Sequence, residues 1–170
     1  LTLSNAVRHD HLTGLPLRYG IESDFTLCQK DARRNRTLMY VVMIDADHFK
    51  RINDTYGHLE GDSVLRHLAN TLKKCLRNND PLYRFGGEEF LWLMRCESAE
   101  EAEQSARRIL STVSTTPVPI TFGEPLALTV TLGLALVGEE EEISSAIKRA
   151  DMALYEGKKA GRNCYVFADL

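Results

Sequence analysis

The chain has 170 residues, of which 44% are hydrophobic, 26% charged and 8% aromatic, and it carries a net charge of −3. That length suits one domain burying roughly 70% of its unfolded surface, and the composition excludes a disordered chain, a collagen and a disulfide-dense mini-protein. The mildly acidic balance argues against holding a nucleic acid polymer by overall charge, while a local basic pocket for phosphates stays open.

Residues 1–8 are expected to be the end of an incoming helix, with Leu3 and Val7 at i, i+4 spacing. Because the chain opens on Leu1 rather than Met, this stretch reads as a linker from an N-terminal sensory region outside this piece, and residues 9–170 as the domain itself. No apolar run approaches the roughly 20 residues of a membrane helix, and no signal peptide is visible.

Residues 17–34 form an amphipathic pattern through Ile21, Phe25 and Cys28, which predicts a helix ending near Asn35. Residues 40–44 are a continuous apolar run of β-formers, as expected of a central strand covered on both faces. A short helical stretch follows over 49–56, stopped by Gly57, and a longer helix is predicted over 62–76. Two strand-like runs, 82–85 and 90–94, flank Gly86-Gly87 and read as a tight hairpin.

Residues 99–113 read as a helix, and 117–122 and 126–137 as strands. Glu139 to Glu142 are expected to open a last helix as a solvated acidic start, with Lys158 and Lys159 in its final turn and Gly161 as its stop. Residues 165–167 close the sheet. The fold class is therefore an α/β sandwich, close to an elaborated ferredoxin-like βαββαβ sheet with a hairpin at its centre. Cys28, Cys75, Cys96 and Cys164 lie far apart without a C-x-x-C pair, which points to reduced, mostly buried thiols in a cytoplasmic protein.

The chemistry concentrates at two places. Asp45 ends the buried strand, where open α/β sheets place their ligands. Asp47 follows as either an N-cap or part of a ligand site. The backbone N–H groups of His48, Phe49 and Lys50 then open a helix beside Asp45 and offer a phosphate cradle next to a cation site. Glu88 and Glu89 stand directly after the glycines, and as successive strand residues they face opposite sides.

These residues resemble the GGDEF (here GGEEF) family of bacterial diguanylate cyclases. Arg84-Phe85-Gly86-Gly87-Glu88-Glu89-Phe90 is similar to the family signature. Residues 45–54 with Gly57-His58 and Gly61-Asp62 resemble its first half-site, Ala150 to Tyr155 with Lys158 and Ala160-Gly161-Arg162-Asn163 its C-terminal motif, and Asp10 to Pro16 its opening motif. Leu17 departs from the pattern, since the family more often has Asn before Arg. The resemblance covers about residues 8 to 167.

The resemblance implies Mg²⁺ or Mn²⁺ on Asp45, Glu88 and the carbonyl of Ala46, with Glu89 as the second essential acid. Which glutamate takes the proton stays open. It implies Lys50, Lys158 and Arg162 on the triphosphate, with the Phe49 backbone beside them. Asn53 and Asp62 match the guanine readers, and Leu12 and Leu65 the apolar walls. His58 is either a guanine contact or a turn-stabilising side chain. Arg77 and Asp80 resemble the Arg-x-x-Asp product-inhibition motif, with Arg108 as a further contact.

The implied activity is condensation of two GTP into cyclic di-GMP and two pyrophosphates by a homodimer of half-sites, with product inhibition. The alternative is a non-catalytic receptor for cyclic di-GMP or GTP that signals through a partner. The chemistry suits the first reading, because guanine N1–H and N2–H present a donor pair that a carboxylate such as Asp62 can accept and adenine lacks.

Overall fold

The computed structural model describes residues 9–77 and 80–170. The helix expected over residues 1–8 lies outside the described residues, as do Asn78 and Asn79 inside the Arg-x-x-Asp motif. A 3₁₀ turn at Arg18–Gly20 leads into α1 (Ile21–Asn35), followed by β1 (Leu38–Ala46), α2 (Phe49–Tyr56) and α3 (His58–Cys75). Then come β2 (Leu82–Arg84), β3 (Glu89–Cys96), α4 (Ala99–Ser114), β4 (Val130–Leu136), α5 (Ile143–Lys159) and β5 (Tyr165–Phe167).

The strands lie in the order β2-β3-β1-β4-β5, with β1 antiparallel to both β3 and β4. Its first four strands interleave two split βαβ units, as the ferredoxin-like expectation requires. β5 adds to the edge, parallel to β4. β1 is central, and every residue of it after Leu38 is buried.

Alternation along β1 sorts the core into two layers. Tyr40, Val42 and Ile44 pack with α3 and α4 through Leu68, Leu72, Ala106 and Ile109. Met39, Val41 and Met43 pack with α1 and α5 through Phe25, Ala32, Ala150 and Leu154. α1 stops where Arg36 turns left-handed (φ 55°) and donates its N–H back to the helix. Two glycines set the seat of α5. A Cβ on Gly133 would fall 2.9 Å from Leu154 Cα, and one on Gly157 would fall 2.7 Å from Thr131 Cγ2.

The structure corrects the sequence reading at four places. α3 starts at His58 rather than Asp62, one residue after Gly57 (φ 89°). No strand forms over 117–122, and β4 starts at Val130 rather than Leu126; Val118 and Leu126 make a single antiparallel bridge instead. Pro117, Pro119 and Pro125 have no N–H to give a ladder. α5 begins at Ile143, so Glu139 to Glu142 precede it, and Glu141 is tied to Arg149 rather than solvated. The hairpin is not a two-residue turn, since Phe85 and Gly86 both donate to Glu89 O (2.8 and 3.2 Å) and neither Gly86 nor Gly87 has positive φ. All four cysteines are free, and all but Cys164 are buried.

Candidate active site

The end of β1 and the tip of the β2–β3 hairpin meet. Asp45 is the register partner of Glu89, and the Ala46 N–H donates to Glu88 O at 3.2 Å. Asp45 shares the α1/α5 face with Val41 and Met43, which brings it under the last turn of α5. There Lys158 Nζ donates to Asp45 Oδ2 at 2.7 Å. An open groove of ≈ 500 Å³ runs past these groups, lined by Asp45, Ala46, Phe49, Lys50, Glu88, Lys158 and Arg162 among the expected residues. His48, Arg51 and Asp54 line it as well. Asp54 stands four residues after Lys50 on α2, so helical spacing alone would have placed it on the same face.

Three carboxyls here titrate above the usual carboxylate range. Burial raises Asp45, and the hydrogen bond and charge of Lys158 offset only part of that rise. Burial and then the Asp45 charge raise Glu88. Burial, Asp45 and Asp151 raise Glu89, against the opposing charges of Lys158 and Arg18. Burial would lower Lys158, but the hydrogen bond and charge of Asp45, together with the charges of Glu89 and Glu88, hold it above the usual lysine value. Crowded hard oxygens that repel one another, beside cations, form a donor set that suits a divalent ion shared with phosphate oxygens. Among the described residues no three His, Cys, Asp or Glu side chains form a metal cage by themselves.

Backbone geometry also shapes the start of α2, the expected phosphate cradle. His48 is left-handed (φ 56°) immediately before α2, and no side chain caps the helix. The N-cap reading of Asp47 is thereby excluded; its carboxylate accepts instead from Thr129, Thr131 and the Asn163 N–H.

Of the expected guanine readers, Asn53 lies against Gly61, where any Cβ would collide with its amide oxygen, and Asp62 is exposed on the next residue of α3. Leu12 packs on the cluster that contains Phe49 and Leu65, and Leu65 is buried to 2% exposure, so it can present only an edge. His58 is exposed at the start of α3.

The hairpin is braced from behind. Arg84 Nη1 donates to Asp10 Oδ1 at 2.8 Å and its Nη2 to Gly87 O at 2.7 Å. Asp10 is fixed in turn by the Thr13 N–H and hydroxyl, and Arg18 sits 4.1 Å from the centre of the Phe85 ring. Gly86 leaves the space that Glu89 fills, since a Cβ there would lie 2.8 Å from Glu89 Oε1.

The expected product site is arranged differently from a simple Arg–Asp surface pair. Arg77 is ion-paired with Glu101. The Asp80 side chain is 3% exposed, accepts from Trp92 Nε1 at 3.2 Å and faces Arg95 Nε at 3.6 Å. Arg108 donates to the Cys75 carbonyl at 3.0 Å. No described helix is long and apolar enough to cross a membrane.

The family model "Diguanylate cyclase, GGDEF domain" matches residues 7–164. Diguanylate cyclase DgcZ of Escherichia coli is 40% identical over 160 residues, covering 94% of this chain and 53% of the relative. Diguanylate cyclase DgcP of Pseudomonas aeruginosa is 42% identical over 156 residues, covering 91% of this chain and 23% of the relative. The chain thus spans about half or less of the length of these curated relatives. Among solved structures, the GGDEF domain of TpbB from Pseudomonas aeruginosa superposes with a TM-score of 0.88 at 35% identity, over 95% of both chains. The coiled coil and GGDEF domain of DgcB from Caulobacter crescentus, in complex with c-di-GMP, does so with a TM-score of 0.89 at 30% identity, over 98% of this chain and 88% of that one.

Proposed function

This chain belongs to the diguanylate cyclase GGDEF-domain family, and from that membership we propose that it condenses two GTP molecules into cyclic di-GMP with release of two pyrophosphates. The observation that carries the reading is the convergence of Asp45, Glu88, Lys50, Lys158 and Arg162 on one groove at the end of β1. That set combines acids for a metal and a proton with cations for a triphosphate, and a receptor that only binds nucleotide has no need of the acids.

Each half-reaction forms a bond from the 3′-oxygen of one GTP to the α-phosphorus of the other. The bond from that phosphorus to the β-phosphate oxygen breaks, and pyrophosphate leaves with the electron pair. A carboxylate of the Glu88–Glu89 pair takes the 3′-hydroxyl proton. Lys50, Lys158 and Arg162 hold the phosphates, helped by the backbone N–H groups at Phe49 and the start of α2. Asp45, Glu88 and the Ala46 carbonyl would hold Mg²⁺ or Mn²⁺, whose charge offsets that of the phosphate oxygens and the leaving pyrophosphate when it is bound.

Asn53 and Asp62 read guanine, with Leu12, Leu65 and the first residue of α3, His58, around the base. An acceptor that the bound base covers and adenine leaves unpaired costs on the order of 1–3 kcal/mol, enough to select GTP. One groove holds one GTP, so two copies must face each other, and the working unit is a homodimer. Cyclic di-GMP binds back at Arg77, Asp80 and Arg108 and inhibits. Incubation with GTP and Mg²⁺ followed by nucleotide separation tests the activity: cyclic di-GMP is the expected product, and unconsumed GTP would refute it.

A further inference from the structure

We propose that Asp47 is a positioning residue that holds the strained turn after α5 and so aims Arg162 into the groove. The inference rests on the groove being a nucleoside triphosphate site, and adds to it a residue that does not line that groove. Asp47 is 4% exposed. It stands two residues after Asp45, a spacing that would put both carboxylates on one face of a continuing strand. β1 ends at Ala46, however, and the Asp47 N–H donates to Thr129 O at 2.9 Å, so the second carboxylate turns inward towards β4.

There it joins two pieces of chain. Oδ1 accepts from Thr131 Oγ1 at 2.6 Å, and Oδ2 accepts from Thr129 Oγ1 at 2.7 Å and from the Asn163 N–H at 2.9 Å. The first two donors belong to β4 and the residue before it. The third belongs to the loop from α5 to β5, whose backbone is unusual: Gly161, Arg162 and Asn163 have φ of 122°, 65° and 48°. Left-handed backbone is disfavoured for residues with a Cβ, and two such residues in a row persist only where the surroundings over-determine them. The loop is held from the helix side by the Arg162 N–H on Gly157 O at 3.0 Å, and from the sheet side by Asp47 on the next amide. Arg162, between these two ties, lines the groove. The two acids of Asp45-Ala46-Asp47 thus do separate jobs, one facing the ligand and one fixing the wall opposite it.

The test is a double-mutant cycle between Asp47→Asn and Arg162→Ala, read by calorimetric binding of a non-hydrolysable GTP analogue with Mg²⁺. Asparagine keeps the size of Asp47 but loses its charge and one of the two acceptor oxygens, so each remaining contact to the Asn163 N–H and the threonines is weaker. Alone it should weaken binding about tenfold, the loss of one or two charge-assisted hydrogen bonds. In the Arg162→Ala background it should change binding less than about twofold, because the residue it positions is gone. Equal losses in both backgrounds would overturn the proposal. Amide exchange of the nucleotide-free chain gives a second reading: the Asn163 amide should exchange about tenfold faster in Asp47→Asn, while Val42 in β1 is unchanged. An Asn163 amide as slow as in the parent would also overturn it.

Should Asp47→Asn fail to fold, Asn163→Ala keeps Asp47 and its threonine partners and penalises the left-handed backbone directly. It must show the same non-additivity with Arg162→Ala, and additive losses would refute the positioning role. A parent chain that binds no GTP analogue would sink the proposed function, whereas the exchange rate at Asn163 would still decide the role of Asp47.

Discussion

Asp45 and Lys158 meet at 2.7 Å between the end of the central strand and the last turn of α5, which makes the groove's buried carboxylate the partner of one of its cations. The ion pair balances the site before any ligand arrives. A metal at Asp45 and a phosphate at Lys158 would each take one member, so binding of both relieves what either alone would leave unpaired.

Lys158→Met should therefore act with opposite signs on two ligands. Affinity for a GTP analogue should fall roughly 10- to 100-fold, the scale of a lost charge-assisted contact. Affinity for Mn²⁺ without nucleotide should rise, because Asp45 no longer has a competing ammonium. Calorimetry with each ligand checks both, and a parallel fall in the two affinities would contradict the shared role.

If Glu89 is the member of the Glu88–Glu89 pair that takes the proton, Glu89→Gln should lower kcat by about 10²–10⁴-fold while the near-isosteric side chain keeps the domain folded. The pH profile supplies a second readout. Glu88 and Glu89 are raised by burial and by their acidic neighbours, and a base works only when deprotonated. The acidic limb of kcat/KM should accordingly lie above the ordinary carboxylate range, with activity rising as pH increases through it. Wild-type turnover by the glutamine variant would remove Glu89 from the mechanism.

Much of this site was legible in the sequence because local patterns dictated it. The run before Asp45 had to be a buried strand, and Gly57 had to end α2, so the strand-end acid and the helix start beside it followed. The inward turn of Asp47 was not legible, because it depends on Thr129, Thr131 and Asn163, which are more than 80 residues away in the chain. The expected strand over 117–122 failed for a readable reason, the prolines at 117, 119 and 125. The glutamate run misled for the opposite reason: nothing local shows that Arg149, two turns into α5, reaches back to Glu141.

That pair has a stability consequence. Hydrogen bonding from Arg149 outweighs burial, and with Ser145 and the Gly138 N–H it holds Glu141 at about 2, against an ordinary 4.5. A depressed folded-state value stabilises the fold above the unfolded value and ceases to do so as pH falls from 4.5 towards 2. Glu141→Gln should cost about 1 kcal/mol at neutral pH, less than the full shift because solvent screens the pair, and should flatten the acid side of the stability curve between those values. Denaturant melts from pH 7 to pH 2 test this, and an unchanged acid limb would show that the pair adds nothing.

Arg77 is already engaged by Glu101, so a product molecule bound there would have to displace an existing partner. Glu101→Gln should strengthen inhibition by cyclic di-GMP and Arg77→Ala should relieve it, both with initial rates near those of the parent. Progress curves that slow equally early in all three proteins would assign Arg77 to the surface alone.

Product analysis across enzyme concentration with GTP and Mg²⁺ decides whether two half-sites work together. Cyclic di-GMP and pyrophosphate are expected in a one-to-two ratio, with specific activity rising as concentration brings two GTP-loaded copies together. A chain that binds GTP and yields neither product, or one that yields cyclic di-GMP at a strictly proportional rate as a confirmed monomer, would contradict the paired half-site mechanism.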